Sequence, residues 1–114
     1  MIAHVLLFRP RGDLSAAARQ QLADALAAAL RDIPSLRRAR VGRRITIGRD
    51  YEQLTRTDLP CAAILEFDDE AALNAYLDHP AHQQLARRFF ESIEETQIYD
   101  IDVKEGAASV ADLL

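Results

Sequence analysis

Apolar side chains along two segments predict strands that are covered on both faces. In Ile2–Phe8, apolar residues occupy both alternating faces, and His4 is the one polar side chain. Pro60–Phe67 repeats this pattern, with Glu66 as its one charged residue. A strand that is solvated on one face alternates apolar with polar residues, so both segments are predicted to lie inside a two-sided layer.

A helix is predicted over Ala16–Ile33. Its residues are mostly strong helix formers, and its apolar side chains recur every three or four positions to form one stripe. Ser15 or Asp13 is the predicted N-cap. Pro34 ends the helix because the residue before a proline disfavours helical backbone angles.

A second helical region is predicted in two parts. Asp68 or Asp69 caps a helix over Glu70–Leu77, and Pro80 then interrupts the helical pattern. Because proline is favoured at the first position of a helix, a further helix is predicted from Pro80 to about Glu94.

The other predicted segments are less regular. They are one strand or two short strands over Leu36–Ile47, a loop over Arg49–Leu59, a strand over Gln97–Val103 and a tail over Gly106–Leu114. In the last strand, the side chains predicted to face inward are Tyr99, Ile101 and Val103, and those predicted to face outward are Asp100 and Asp102.

The predicted order is strand, helix, strand, strand, helix, strand. This order is typical of the split βαβ arrangement, an α+β fold with an antiparallel sheet and both helices on one face. We expect one domain over residues 1–103 and a C-terminal tail over residues 104–114. The sheet face without helices would expose apolar side chains, which a soluble monomer does not tolerate. A second copy related by two-fold symmetry is the simplest cover, so a homodimer is predicted.

Composition narrows the class of protein. With 114 residues, 49% of them apolar and 28% charged, the chain matches one folded domain rather than a disordered tail. Cys61 is the single cysteine, so an internal disulfide framework is excluded. No apolar run is long enough to cross a membrane, and the N-terminal run lacks the basic start of a signal peptide. We therefore expect a cytoplasmic protein with no membrane partner.

Charge is distributed unevenly along the chain. The net charge of -4 argues against a general nucleic-acid partner, which usually binds a basic domain. Residues 1–65 nevertheless carry a net charge of +5, and residues 66–114 carry -9. Either strands of the two halves interleave and bring opposite charges together, or the basic segment forms a local anion-binding patch. The arginines available for such a patch are Arg37, Arg38, Arg40, Arg43, Arg44 and Arg49.

The most distinctive stretch of the chain is Tyr76–His82, with the sequence Tyr-Leu-Asp-His-Pro-Ala-His. Together with His4–Phe8, Ile33-Pro34, Val41-Gly42 and Leu65–Phe67, it resembles the stress-responsive dimeric α/β-barrel (Dabb) family over residues 1–103. The resemblance implies a ferredoxin-like βαββαβ unit whose sheet packs against that of a second copy to form a dimeric α/β barrel. Most members of the family have no established reaction.

One plant branch of the family resembles this chain and acts as a polyketide cyclase, which closes a ring by aldol condensation without a metal or an organic cofactor. The resemblance implies that His82 is the catalytic histidine, Tyr76 the catalytic tyrosine and His4 a supporting histidine on the first strand. The cyclases also hold substrate with an aromatic side chain on the first helix, where this chain has Ala25 and Leu26. The same substrate is therefore not expected.

The residues themselves leave two roles open for this group. His82 lies three positions before Leu85 and seven before Phe89, so it is predicted to point inward along its helix. Tyr76 lies six positions before His82, and only a break at Pro80 could turn both toward one pocket. A histidine is a common acid or base near neutral pH, and a tyrosine can donate a hydrogen bond to a developing enolate. The alternative is that these side chains hydrogen-bond within the core for structural reasons.

Three hypotheses about function are consistent with these features. The first is a homodimeric barrel of unassigned activity that binds a small apolar ligand. The second is a cofactor-free cyclase or related lyase, with His82 as base, Tyr76 as hydrogen-bond donor and His4 in support. The third is a monooxygenase-related barrel, which the absence of tryptophan weakens because such relatives typically use one. His79 is predicted to lie where the helix restarts, and either to cap it or to be exposed to solvent. A metal shared by His79 and His82 lacks a third ligand at a suitable spacing.

Overall fold

A computed structural model describes residues 1–114, and its elements follow the predicted order. The strands are β1 (Ile2–Pro10), β2 (Arg38–Arg43), β3 (Cys61–Phe67) and β4 (Ile93–Asp102). The helices are α1 (Ala16–Asp32), α2 (Glu70–Asp78) and α3 (Pro80–Ser92). Short 3₁₀ helices at Asp50–Leu54 and Ala107–Leu113 lie in the predicted loop and the predicted tail. None of the helices combines the length and the apolar character needed to cross a membrane.

The four strands form one antiparallel sheet in the order β2-β3-β1-β4. Within it, His4 of β1 lies opposite Leu65 of β3 on one side and opposite Asp100 of β4 on the other. The helices lie on one face of the sheet, where α1 packs against α3 and α2 contacts both β1 and β3. This arrangement confirms the predicted ferredoxin-like βαββαβ fold.

The hydrophobic core lies between the sheet and the helices. Its largest fully buried side chains are Leu65 and Phe67 of β3 and Tyr76 of α2. Ala29 of α1 and Leu85 of α3 belong to the same buried cluster. Full burial of a large apolar side chain contributes about 1.5–3 kcal/mol. These contacts therefore fix all three helices against the sheet.

Side-chain caps mark where two of the helices begin. At the start of α1, the Ala18 N–H donates a hydrogen bond to Ser15 Oγ over 3.0 Å. At the start of α2, the Ala72 N–H donates to Asp69 Oδ1 over 2.8 Å. Both bonds satisfy N–H groups that have no partner within the helix. Of the two capping candidates predicted for each helix, the caps are therefore Ser15 and Asp69.

His79 separates α2 from α3. It follows the last residue of α2 and precedes Pro80, the first residue of α3. Its Nδ1 accepts a hydrogen bond from the Ala81 N–H over 3.0 Å, which confirms its predicted role as a helix cap. Pro80 fits the first helical position because that position needs no N–H donor. The break allows residues on either side of it to face the same part of the core.

The orientation of β4 differs from the prediction. Asp100 contacts His4 on the helix side of the sheet, whereas Tyr99 and Ile101 lie on the opposite face and are 57% and 46% exposed. Val103, which follows the strand, is also exposed. The predicted orientation is wrong because β4 pairs with β1 in a register that sets Asp100 directly opposite His4. Directly opposed residues on neighbouring strands share a face of the sheet.

The sheet face opposite the helices is uncovered in the single chain. It presents an open-face patch, which we define as Val5, Leu7, Ile64, Tyr99 and Ile101. Four of these five side chains are among the exposed large hydrophobic residues of the chain. A contiguous apolar patch on a sheet marks a surface that another molecule covers. The predicted uncovered apolar face is therefore present.

Ion pairs connect the basic half of the chain with the acidic half. Arg9 contacts Glu94 and Glu95, each over 3.0 Å, and Arg40 contacts Glu66 over 3.1 Å. The strands of the two halves do not alternate in the sheet, since β4 of the acidic half lies at the edge beside β1 of the basic half. Opposite charges nevertheless meet between these neighbouring strands. These pairs are solvent-exposed, so they contribute little to stability.

Candidate functional site

A cavity of about 130 Å³ lies between the sheet and the helices. Its lining comes from all three helices and from β1, β3 and β4. The lining is apolar except for His4, Tyr76 and His82. The three candidate site residues predicted from the sequence are therefore brought together in one apolar cavity.

The three polar side chains approach one another through their rings. The ring centroid of Tyr76 lies 4.8 Å from that of His82 and 6.2 Å from that of His4. Tyr76 ends up between the two histidines because α2 ends before Pro80 and α3 then starts in a new direction. In one unbroken helix, a spacing of six residues would have separated Tyr76 from His82.

Asp100 orients His4, and no sequence pattern had singled it out as a site residue. His4 is 6% exposed, and its Nδ1 lies 2.5 Å from Asp100 Oδ1. A carboxylate only accepts hydrogen bonds, so the Nδ1–H of His4 donates to Asp100 and Nε2 stays free for another partner. The register of β1 with β4 is the signal that identifies this pair, and it cannot be read from either strand alone.

Tyr76 supplies a protonated hydroxyl to the cavity. Tyr76 is 1% exposed, and burial raises its pKa to about 12. The phenol therefore keeps its proton throughout the neutral pH range. A buried hydroxyl of this kind can donate a hydrogen bond to an oxygen of a molecule in the cavity.

His82 is held in its neutral form. Burial lowers the pKa of His82, the backbone carbonyl of Leu77 partly opposes this, and the nearby charge of His4 lowers the pKa further. A neutral imidazole has one nitrogen that can accept a proton or a hydrogen bond. At neutral pH the cavity thus contains an available base beside a hydrogen-bond donor.

We expect His82 to reduce the stability of the fold as the solution becomes acidic. The pKa of His82 in the folded state lies below its unfolded value of about 6.5. Between these two pKa values the unfolded chain therefore binds more protons than the folded chain. The stability is fully present above the unfolded pKa and is lost as pH falls through the folded pKa. Urea unfolding of the wild type and of His82→Asn between about pH 8 and pH 5 measures this loss. Parallel pH profiles of the two proteins would contradict the assignment to His82.

Comparison with known proteins places these features in a family. The sequence profile of the stress responsive A/B barrel domain, Dabb, matches residues 2–103. No curated protein matches the chain. A solved Dabb family protein with a ferredoxin-like fold from Mesorhizobium loti has a TM-score of 0.71 at 21% identity, covering 91% of this chain and 97% of that chain.

Two further solved structures share the fold. A dimeric ferredoxin-like protein of unknown function from Thermobifida fusca has a TM-score of 0.69 at 22% identity, covering 90% of each chain. Hydroxynitrile lyase from Passiflora edulis has a TM-score of 0.72 at 17% identity, covering 91% of this chain and 94% of that chain. At these identities the structural similarities establish the fold alone. The profile match spans nearly the whole chain and confirms the resemblance predicted from its motifs: the chain belongs to the stress responsive A/B barrel domain (Dabb) family.

Proposed function

We propose that this protein is a homodimeric α/β barrel that binds a small, uncharged and largely apolar molecule in the cavity between sheet and helices. Membership of the family assigns no reaction and by itself favours neither the cyclase nor the monooxygenase alternative. The observation that carries the proposal is that one apolar cavity contains three polar side chains at a single place. We place this function in the cytoplasm because the chain has a single cysteine and therefore no internal disulfide.

The size and polarity of the cavity restrict the ligand. Its volume of about 130 Å³ is close to that of an engineered cavity of about 150 Å³ that binds benzene. No lysine, arginine, aspartate or glutamate lines it. An ionised ligand would lose its hydration there without gaining a charged partner. The proposed ligand is therefore a ring-sized, uncharged molecule.

The polar side chains add one further requirement. Tyr76 offers a hydrogen-bond donor, and neutral His82 offers an acceptor, because the backbone carbonyl of Leu77 takes its one N–H. A carbonyl group would accept a hydrogen bond from the Tyr76 hydroxyl. We therefore propose a small aromatic or cyclic carbonyl compound as the ligand class.

A second copy of the chain is the proposed cover of the open-face patch. The patch lies on the side of the sheet opposite the ligand cavity, so both can be occupied together. The similar fold of the dimeric protein from Thermobifida fusca supports this assembly. Two copies related by two-fold symmetry would bury both patches against each other.

A second candidate function is cofactor-free proton transfer on the bound carbonyl compound. It is favoured by the position of neutral His82, with its ring centroid 4.8 Å from that of protonated Tyr76. His82 would take a proton from the carbon beside the carbonyl, and the electron pair would move onto the oxygen. Tyr76 would donate a hydrogen bond to the resulting enolate, and His4 would support this arrangement. The protonated His82 would then return a proton to the carbon.

Binding of acetophenone in heavy water tests both candidates in one experiment. The wild type is expected to bind acetophenone at least about tenfold more tightly than ethylbenzene, which has a similar shape but no carbonyl. Tyr76→Phe is expected to remove this preference, as followed by NMR chemical shifts. Proton transfer predicts that the methyl protons of acetophenone exchange at least about 100-fold faster with the wild type than with His82→Ala.

Tyr51→Phe is the matched control, because Tyr51 is exposed and lies outside the cavity. It is expected to behave as the wild type in both measurements. Failure of both compounds to bind would overturn the proposed ligand cavity. Tight binding of acetophenone without accelerated exchange would refute the proton-transfer candidate and leave the binding function supported.

A further inference from the structure

We propose that the loop between β2 and β3 contacts a second copy of the chain, a contact that rests on the homodimer proposed above. We call this loop, residues 44–59, the arm. It rises beside the open-face patch, on the face of the sheet opposite the helices. The arm would add a second contact surface to the dimer interface, beyond the sheet face itself.

Hydrogen bonds fix the base of the arm to the sheet. The Arg44 N–H donates to the Pro60 carbonyl over 2.8 Å, so the two ends of the arm lie side by side. The Arg44 side chain also forms an ion pair with Asp58 over 2.8 Å. Arg9 of β1 donates to the backbone carbonyl of Asp58 over 2.7 Å. Closely held ends are typical of compact Ω-loops, which are frequently functional.

The outer part of the arm is ordered by its own contacts. Glu52 Oε1 accepts hydrogen bonds from the N–H groups of Ile47 and Arg49, over 2.8 Å and 2.9 Å. Between these two donors, Gly48 turns the chain with a φ of +78°, which glycine adopts without strain. The short 3₁₀ helix over Asp50–Leu54 follows. Because the arm is already formed in the single chain, a partner could bind it without the cost of ordering it.

The arm carries large apolar side chains that nothing in the single chain covers. Ile45, Ile47 and Leu54 are 79%, 58% and 80% exposed. Large apolar side chains concentrated on one exposed element mark an interaction surface. We therefore expect another molecule to cover the arm.

The position of the arm favours a second copy of the chain as that molecule. Leu54 and Leu59 of the arm line one groove together with Leu7 and Ile64 of the open-face patch. The groove has a volume of about 680 Å³, which leaves room for side chains of the second copy. A chain that covers the open-face patch would therefore also lie against the arm. Two-fold symmetry would give each copy the same contact with its partner's arm.

The arginines around the groove are compatible with this contact. Arg40 and Arg44 each form an ion pair within the chain. Arg43 lies on the other face, because it is directly opposite Cys61 on the helix side of β3. Arg56 is exposed on the arm, and a long arginine side chain can cover apolar surface while its charged end stays in water. The partner can therefore fill the groove without burying an unpaired charge.

Leu54→Ser is expected to raise the dissociation constant of the homodimer at least about tenfold. Leu54 is exposed in the single chain, so the variant is expected to fold as the wild type does. Leu113→Ser is the matched control, because Leu113 is equally exposed, lies outside the groove and is expected to leave the constant unchanged. Sedimentation velocity over a dilution series measures both constants. An unchanged constant for Leu54→Ser, or an equal increase for the two variants, would overturn the proposal.

A tryptophan reporter separates failure of the arm contact from failure of the homodimer. The chain has no tryptophan, so Leu54→Trp places a single fluorophore on the arm and Leu113→Trp places one on the tail. As rising concentration converts single chains into dimers, we expect only the Leu54→Trp emission to shift to shorter wavelength, because its indole leaves water. Dimers in sedimentation without this shift would refute the arm contact and leave the homodimer supported. A single chain at every concentration would refute both.

Discussion

Tyr76→Ala is expected to lower the free energy of unfolding by about 3–5 kcal/mol. Tyr76 is 1% exposed, and its ring centroid lies 5.2 Å from that of Phe67 and 4.8 Å from that of His82. Removing the ring would leave a void where α2, α3 and the sheet meet. A domain of this size is usually stable by about 5–15 kcal/mol, so the loss would bring the variant close to unfolding. Urea unfolding at one fixed protein concentration measures it, because a dimer's apparent stability depends on concentration.

Two other tyrosine variants serve as controls for this loss. Tyr76→Phe keeps the ring and removes only a hydroxyl that faces the cavity, so the expected loss is below about 1 kcal/mol. Tyr51→Ala removes an aromatic ring that is 63% exposed, and a loss of the same small size is expected. A similar free-energy change for Tyr51→Ala and Tyr76→Ala would contradict the placement of Tyr76 at the centre of the core.

Val5→Arg is expected to separate the proposed dimer into folded single chains. Val5 lies on β1, inside the sheet, and its side chain is on the face opposite the helices. Two-fold symmetry would place the new charge in the interface twice, once from each copy. An unpaired charge in an interface costs several kcal/mol, so the dissociation constant is expected to rise at least about 100-fold. Sedimentation velocity over a dilution series measures this change.

Ala27→Arg is the control for the dimer variant. Ala27 lies on α1, on the side of the sheet away from the open-face patch, so the same charge there is expected to leave the dissociation constant unchanged. Circular dichroism of both variants verifies that the fold is intact. A folded Val5→Arg protein that dimerises as tightly as the wild type would show that the open-face patch is not the interface.

Features that depend on neighbouring residues in the sequence were predictable. Ser15 precedes a run of strong helix formers, and Pro80 can only start or break a helix, so both boundaries follow from local chemistry. The convergence of Tyr76 and His82 also follows from the break at Pro80. Both side chains lie beside His4 because the face of β1 that carries His4 is the face that packs against the helices.

Features that depend on register were not predictable. In β4, Tyr99 and Ile101 form the more apolar of the two faces, which favours an inward orientation when the strand is taken alone. Both faces of this sheet carry apolar side chains, and only one of them packs against the helices, so hydrophobicity does not distinguish them. The pairing of His4 with Asp100 determines which face of β4 lies against the helices, and it joins residues at opposite ends of the chain.

The contacts of the basic segment were only partly predictable from the sequence. The arginine-rich segment over residues 37–49 left two interpretations open from the sequence, an anion-binding patch and ion pairing with the acidic half of the chain, and ion pairing was favoured. The ion pairs of Arg40 with Glu66 and of Arg44 with Asp58 join residues that are distant in sequence, so they follow from the fold and not from any local pattern.

Sedimentation equilibrium of the wild-type protein at micromolar concentration is the most direct test of the central claim, that a second copy covers the open-face patch. The predicted result is a species with twice the chain mass of 12.7 kDa. A well-folded species with the mass of one chain would contradict it.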